Sequence, residues 1–181
     1  HVAAGDVVYG VTTGFGKFAH IHIEPAHRRE LQVNLIRSHA AGVGEPFPEE
    51  VVRAMLLLRA NALAVGASGA RPVVAERLLA LLNAGVHPLI PQIGSLGASG
   101  DLAPLAHLAL VLIGEGEAIY QGRRMSGARA LKRTRIQPLR LEAKEGLALL
   151  NGTQAMAAMA CLLVEDAWAC AKLSDVAGAL S

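Results

Sequence analysis

The 181-residue chain has the composition of one folded, helix-rich domain. Hydrophobic residues make up 52% of it, charged residues 18% and aromatic residues 3%, which excludes a disordered chain and requires a core of Leu, Ala and Val, residues that favour helix over strand. The formal net charge of +2 gives no reason to expect a nucleic-acid partner. The longest apolar runs are about half the roughly 20 residues that a bilayer-spanning helix needs, so no membrane partner is predicted.

The predicted elements are mainly helical. Residues 1–25 are rich in glycine and β-branched residues, which indicates irregular backbone. The helical spacing of apolar residues, together with proline and glycine breaks, predicts helices over 26–41, 48–65, 72–83, 101–113 and 144–181. The last of these is interrupted at Asn151–Gly152. Residues 87–91 are predicted to be extended, 117–125 to form a hairpin that turns at Gln121–Gly122, and 128–143 to be a basic, less regular stretch. The fold class is therefore mainly α: long packed helices, glycine-rich loops and one small β-hairpin, in a single region 1–181.

The two cysteines, Cys161 and Cys170, predict reduced thiols and a cytoplasmic protein. They lie nine residues apart on a predicted helix, about 2.5 turns, and therefore point to different faces and are not expected to form a mutual disulfide. No signal-peptide pattern opens the chain, and it begins at His1 with no initiator Met. We therefore expect it to be a piece of a longer protein.

Residues 94–105, with the sequence GSLGASGDLAPL, form the most informative segment. Gly97 and Gly100 permit backbone angles closed to other residues. Asp101 is a good N-cap for the helix that follows, and Pro104 is tolerated in its first turn. The positive end of this helix would point at residues 98–100. On spacing alone, a capped helix after a flexible loop, with no chemical role, remains open.

This segment resembles the signature of the aromatic amino acid ammonia-lyases. In that family an Ala-Ser-Gly tripeptide in this context cyclises by itself to 4-methylideneimidazol-5-one (MIO), an electrophile. The resemblance implies that Ala98, Ser99 and Gly100 form MIO and that no external cofactor is needed. The chemistry suits the residues, since Gly100 leaves its nitrogen unobstructed and Ser99 supplies a leaving hydroxyl. Residues 67–69 repeat the tripeptide without these flanks and predict only a helix break.

The loop Tyr9–Gly16, with the sequence YGVTTGFG, resembles the family's loop that carries a catalytic tyrosine. The resemblance implies that Tyr9 removes the β-proton of the substrate. A tyrosine base must act as phenolate, which nearby positive charge or hydrogen-bond donors would stabilise. The family commonly has Asn where this chain has Thr12, a departure that concerns one contact in the loop. Without the family, a tyrosine packed under a glycine-rich loop is an equal interpretation.

Two helical segments resemble further family blocks. Residues 31–39, LQVNLIRSH, are similar to the substrate-selecting helix, and Ser38–His39 is the histidine-type pair, which implies that His39 binds an imidazole ring. Residues 145–154, EGLALLNGTQ, resemble the block that places Asn151 near MIO and the substrate. Gln154 is a weaker candidate, and Asp101 is expected to support the site by capping its helix.

The resemblance as a whole implies non-oxidative elimination of ammonia from L-histidine to give urocanate. Two alternatives stay open: a phenylalanine or tyrosine ammonia-lyase or aminomutase, against which Ser38–His39 argues, and a non-catalytic helical fragment with an uncyclised tripeptide. His20 and His22 lack companion ligands, so no metal site is predicted. Family members are much longer homotetramers whose active sites combine several subunits. We therefore expect this chain to be an N-terminal part, to associate, and to be inactive alone.

Overall fold

The computed structural model describes residues 6–180, which are mainly helical. The α-helices are α1 (Arg28–His39), α2 (Glu49–Ala64), α3 (Pro72–Ala84), α4 (Leu102–Leu112), α5 (Gly127–Thr134), α6 (Glu145–Leu150) and α7 (Gln154–Ala179). The strands are β1 (Val43–Pro46), β2 (Val86–Pro88), β3 (Pro91–Ile93), β4 (Glu117–Tyr120) and β5 (Arg123–Ser126). Single turns of 3-10 helix occupy Gly16–Phe18 and Pro25–His27.

Local sequence signals fix the helix ends. Pro72 stands in the first turn of α3, and Gly85 ends that helix in the left-handed conformation, with φ +67°. Glu49 and Glu50 lie in the first turn of α2, where the helix dipole favours negative charge. The predicted bounds of α1, α2, α3 and α4 are each confirmed to within two residues.

The predicted hairpin is confirmed and belongs to a larger sheet. Strands β4 and β5 pair antiparallel, and Gln121 and Gly122 turn between them with φ of +51° and +70°, as a two-residue hairpin loop requires. Strand β2 pairs antiparallel with the other edge of β4, which gives a three-stranded sheet in the order β2-β4-β5. A separate antiparallel pair, β1 and β3, precedes the loop that leads to α4.

The expectation of an irregular stretch over 128–143 is wrong in its first half, where α5 forms. Ala130 and Leu131 are buried under this helix while its basic side chains remain exposed. Ser126 caps the helix by accepting the N–H of Arg129 at 3.4 Å, and Arg135 ends it in the left-handed conformation. The charged residues obscured a short amphipathic pattern.

The core is aliphatic, as the composition predicts. Its largest fully buried side chains come from α1, α2, α3, α4, α5, α6 and the β2–β3 connection: Ile36, Met55, Leu56, Leu78, Leu81, Ile90, Leu105, Leu108, Leu112, Leu131, Leu149 and Leu150. Helix α4 is buried on nearly all sides and packs against α1 and α6. The segment 94–101 therefore enters the core at the first turn of α4.

Helix α7 leaves the body of the domain after two turns. Ala155 and Ala158 are its buried residues, whereas its later apolar side chains are exposed, among them Leu163, Val164, Trp168, Leu173, Val176 and Leu180. By length and composition alone, Glu145–Ala179 could cross a bilayer, a property shared by core helices of globular proteins. Cys161 and Cys170 are free and exposed on α7.

Candidate active site

The tripeptide Ala98–Gly100 lies in a bend between β3 and α4. Gly100 is buried and has φ +118°, a conformation that strains any residue with a side chain. A Cβ at this position would also lie 2.6 Å from the carbonyl oxygen of Gly152. Position 100 therefore requires glycine for two reasons, its backbone angle and its close approach to Gly152.

Asp101 begins α4 as predicted, but the prediction that its side chain caps α4 is wrong. Its carboxylate makes no hydrogen bond to that helix. Oδ1 accepts the hydroxyl of Ser95 at 2.8 Å, and Oδ2 accepts the backbone N–H of Met156, in the first turn of α7, at 2.9 Å. Residue 101 has φ −87° and ψ 57°, outside the extended conformation typical of a self-capping residue, and its carboxylate caps α7 instead.

The Tyr9 loop packs against α6. A Cβ on Gly10 would lie 2.8 Å from a methyl carbon of Leu147, so the glycine permits this close approach. The ring of Tyr9 meets the ring of Phe15 edge to face, with centroids 6.3 Å apart. The Tyr9 hydroxyl accepts the backbone N–H of Gly16 at 3.2 Å. The hydroxyl is thus bound to the backbone of its own loop.

Thr12, the departure from the family pattern, is fully buried and anchors the same loop. Its hydroxyl accepts the N–H of Val8 at 2.8 Å and donates to the carbonyl of Asp6 at 2.6 Å. A threonine at this position therefore uses both its donor and its acceptor to close the turn that carries Tyr9.

His39 is the last residue of α1, and its ring orientation is fixed by the helix. Nδ1 lies 2.9 Å from the carbonyl oxygen of Leu35 and 3.1 Å from Oγ of Ser38. Because a carbonyl only accepts, Nδ1 carries the proton in this hydrogen bond. In neutral imidazole Nε2 is then an acceptor, and none of residues 6–180 donates to it. His39 can thus accept an N–H from a ligand.

A cavity of about 400 Å³ brings the predicted residues together. It is lined by Tyr9, Phe15, Gly16, Leu35, His39, Ser99, Leu102, Leu147, Leu150 and Asn151. A second cavity of about 310 Å³ is lined by Ala98, Gly100 and Ser38 among others, and it shares His39, Ser99 and Leu102 with the first. These volumes suit a small-molecule ligand. Four predicted residues from four separate segments, Tyr9, His39, Ser99 and Asn151, therefore line one cavity.

Gln154 lines neither cavity. Its Oε1 accepts a hydrogen bond from Nη1 of Arg59 at 2.7 Å, so Gln154 binds Arg59 next to the Asn151–Thr153 turn.

Arg59 itself was missed by sequence reasoning. It is 3% exposed, and burial lowers its pKa to about 10. The available signal was a cation on the apolar stripe of α2, one turn from Met55 and Leu63, two buried residues.

The mainly helical fold and the segment around Ser99 fit the aromatic amino acid lyase family. The model of the aromatic amino acid lyase family matches residues 1–181, and the chain belongs to this family. Over 158 residues it is 67% identical to a histidine ammonia-lyase of Geobacillus thermodenitrificans, an alignment that covers 87% of this chain and 31% of the relative. Over 181 residues it is 58% identical to a histidine ammonia-lyase of Alkaliphilus oremlandii, covering 100% of this chain and 36% of the relative.

Solved structures share the fold of this chain. The fold matches Pantoea agglomerans phenylalanine aminomutase with a TM-score of 0.87 and 44% identity, over 92% of this chain and 32% of that one. It matches histidine ammonia-lyase from Trypanosoma cruzi with a TM-score of 0.80 and 44% identity, over 87% of this chain and 30% of that one. The predicted fold class is confirmed. The chain spans about a third of the length of the curated relatives it matches.

Proposed function

We propose that this chain is the N-terminal part of a lyase that eliminates ammonia from L-histidine to give urocanate. The observation that carries the proposal is the convergence of Tyr9, His39, Ser99 and Asn151 on one cavity beside the Ala98–Gly100 tripeptide. The identity to proteins named histidine ammonia-lyase supports the choice of substrate.

The tripeptide fits the formation of MIO. Cyclisation joins the Gly100 nitrogen to the carbonyl carbon of Ala98 and releases two waters, one with the Ala98 oxygen and one with the Ser99 hydroxyl. Gly100 has no side chain to obstruct its nitrogen, and the space where a Cβ would stand is taken by Gly152. When formed, the group supplies an electrophile that converts the substrate amine into a leaving group.

His39 is proposed to bind the imidazole of the substrate. Its Nδ1 proton is engaged by the carbonyl of Leu35 at 2.9 Å, so Nε2 of the neutral ring is the acceptor available for an imidazole N–H. A phenyl ring offers no such donor. Discrimination would come from leaving Nε2 without a partner when an apolar substrate binds.

Tyr9 is proposed to remove the β-proton as general base, assisted by the Gly16 N–H that its oxygen accepts at 3.2 Å. General-base catalysis typically contributes about 10²–10⁴-fold to a rate. Asn151, exposed in the turn after α6, offers amide donor and acceptor groups to the amino acid portion of the substrate. Asp101 supports the site from behind through its bond to Met156.

An aminomutase, or a lyase acting on phenylalanine or tyrosine, is the alternative function, and the likeness to the Pantoea agglomerans aminomutase favours it. The acceptor of His39 favours histidine. An alternative of another class is a helical fragment whose tripeptide stays uncyclised. We further propose that the whole protein is a cytoplasmic homotetramer and that the 181-residue chain is inactive alone, in keeping with the exposed apolar side chains of α7.

Intact mass spectrometry is the first test. A mass short by two waters, with the loss mapped to the peptide containing Ala98–Gly100, is expected for the full-length protein; an unmodified mass would refute the electrophile. A panel of histidine, phenylalanine and tyrosine, followed by the absorbance of the unsaturated products, then tests the substrate. Product from phenylalanine at a higher kcat/KM than from histidine would overturn the assignment, and formation of a β-amino acid would identify an aminomutase.

A further inference from the structure

Arg59 is a buried cation for which the described chain provides no counter-charge. It is 3% exposed on α2, no carboxylate among residues 6–180 forms an ion pair with it, and its Nε has no hydrogen-bond partner there. Burying a guanidinium without a carboxylate is costly. An arginine in this position therefore calls for an explanation beyond packing.

The guanidinium joins the two helices on either side of the Asn151–Thr153 turn. Nη2 donates to the carbonyl of Ala148, close to the C-terminus of α6, where helix carbonyls lack partners and positive charge is favourable. Nη1 donates to Oε1 of Gln154, the first residue of α7, at 2.7 Å. A Cβ on Gly152 would collide with the side chains of both Arg59 and Gln154. Arg59 therefore restrains this turn through its contacts with both flanking helices.

The same turn also lies against the tripeptide, through Gly152. The carbonyl of Gly152 accepts the backbone N–H of Asp101 at 2.7 Å, and it occupies the space beside Gly100 where a Cβ would stand. A continuous path of contacts thus runs from Arg59 through Gly152 to Gly100, the residue whose nitrogen must reach the carbonyl carbon of Ala98.

We infer that Arg59 is a positioning residue for cyclisation of the tripeptide, acting by holding Gly152 against Gly100. This inference rests on the proposed function. Arg59 does not line either cavity, so it does not touch the substrate. Its role is to restrict the turn so that Gly100 stays in the bent conformation from which its nitrogen attacks, with loss of the two waters described above. Intramolecular reactions depend strongly on such pre-organisation.

The test compares variants of the full-length protein by intact mass and by the mass of the peptide that contains residues 98–100. Only variants that are folded, as judged by circular dichroism, are compared. Arg59→Met keeps much of the side-chain volume and removes every donor. It is expected to lower the dehydrated fraction at least about tenfold at equal time. Arg59→Lys, which keeps the charge and can reach one acceptor, is expected to be intermediate. Arg53→Met, an exposed arginine on the same helix, is the matched control and should dehydrate fully.

Gln154 variants test the same path if Arg59→Met does not fold. Gln154→Ala removes one acceptor of Arg59 and should slow dehydration. Gln154→Glu gives the guanidinium a carboxylate as its acceptor, and this variant should still dehydrate. Folded Arg59→Met or Gln154→Ala that dehydrates as fast as the unsubstituted protein would overturn this inference alone. An unsubstituted protein that keeps both waters would refute the proposed electrophile and this inference with it.

Discussion

The carboxylate of Asp101 caps a helix that begins more than fifty residues later: its Oδ2 accepts the N–H of Met156 at 2.9 Å, with a sequence separation of 55. Since Asp101 directly follows Gly100, this bond ties the tripeptide to the start of α7. The start of α7 also follows the turn that carries Asn151. Two segments of the candidate site are therefore held in one arrangement by a single buried side chain.

Asp101→Ala should destabilise the domain strongly. It removes two hydrogen bonds to a buried carboxylate, those of Ser95 and Met156, and leaves the Met156 N–H without its acceptor. The expected loss in the free energy of unfolding is about 2–4 kcal/mol, measured by urea denaturation. Ser126→Ala removes an exposed cap of α5 with a 3.4 Å hydrogen bond and should cost under about 1 kcal/mol. Equal losses in the two variants would contradict the role of Asp101.

Much of this fold follows from local signals that the sequence displays. Prolines and glycines mark the ends of α2 and α3, and Gln121–Gly122 marks the hairpin. Helix α5 was missed because its basic residues hide a short apolar face. The pairing of β2 with β4 was missed because a sheet partner across a long separation leaves no local trace.

The residues of the candidate site could be predicted from the sequence, but the hydrogen bonds that hold them in place could not. Tyr9, His39, Ser99 and Asn151 were identified by resemblance, and the structure brings them to one cavity. Their supports were not identified. The acceptor of a buried hydrogen bond is set by tertiary contact, so spacing could not assign the Met156 bond of Asp101. Spacing places Arg59 on the apolar stripe of α2 but does not identify its acceptors.

Glu145 predicts a loss of stability at acidic pH. Its carboxylate is 1% exposed and accepts N–H groups from Arg71 and Glu142, the guanidinium Nε of Arg71 at 2.8 Å included. Burial raises the pKa of Glu145, but the hydrogen bonds and the charge of Arg71 outweigh it, and the pKa lies below its ordinary value of 4.5. The unfolded chain therefore binds more protons, and stability falls as pH drops below 4.5 through the lowered folded-state pKa.

Glu145→Gln isolates this contribution. At neutral pH the variant should unfold with about 2 kcal/mol less free energy than the unsubstituted chain, and the difference should shrink as the pH is lowered below 4.5. Glu117→Gln, which breaks an exposed pair with Arg124, is the control and should change stability much less. A difference between Glu145→Gln and the unsubstituted chain that stays constant with pH would rule out the linkage.

His107 should make the domain less stable in mild acid. Its Nε2 accepts the N–H of Gly42 at 3.1 Å, which requires that nitrogen to be unprotonated, and burial lowers the pKa of His107 below 6.5. Burial also lowers the pKa of His87, against the opposing charge of Glu49 and with a smaller contribution from Arg53. Both rings are therefore protonated more readily in the unfolded chain, and stability decreases as pH falls below 6.5.

His107→Gln should reduce this pH dependence. The amide oxygen of glutamine can still accept the Gly42 N–H but takes up no proton. The slope of unfolding free energy between about pH 7.5 and about pH 5.5 is expected to be smaller than in the unsubstituted chain, with the remainder due to His87. His20→Gln, which replaces an exposed histidine, provides the control. An unaltered slope in His107→Gln would show that His107 does not titrate in this range.

His39→Leu should change which ring the full-length protein accepts. The variant loses the Nε2 acceptor that the Leu35 hydrogen bond leaves available, and with it the partner for an imidazole N–H. A site built around such a bond discriminates by about 10²-fold or more, so kcat/KM for histidine should fall by at least that factor, while kcat/KM for phenylalanine rises relative to it. His22→Leu replaces an exposed histidine and should change neither value. If His39→Leu lowers both substrates equally, His39 supports the site without selecting the ring.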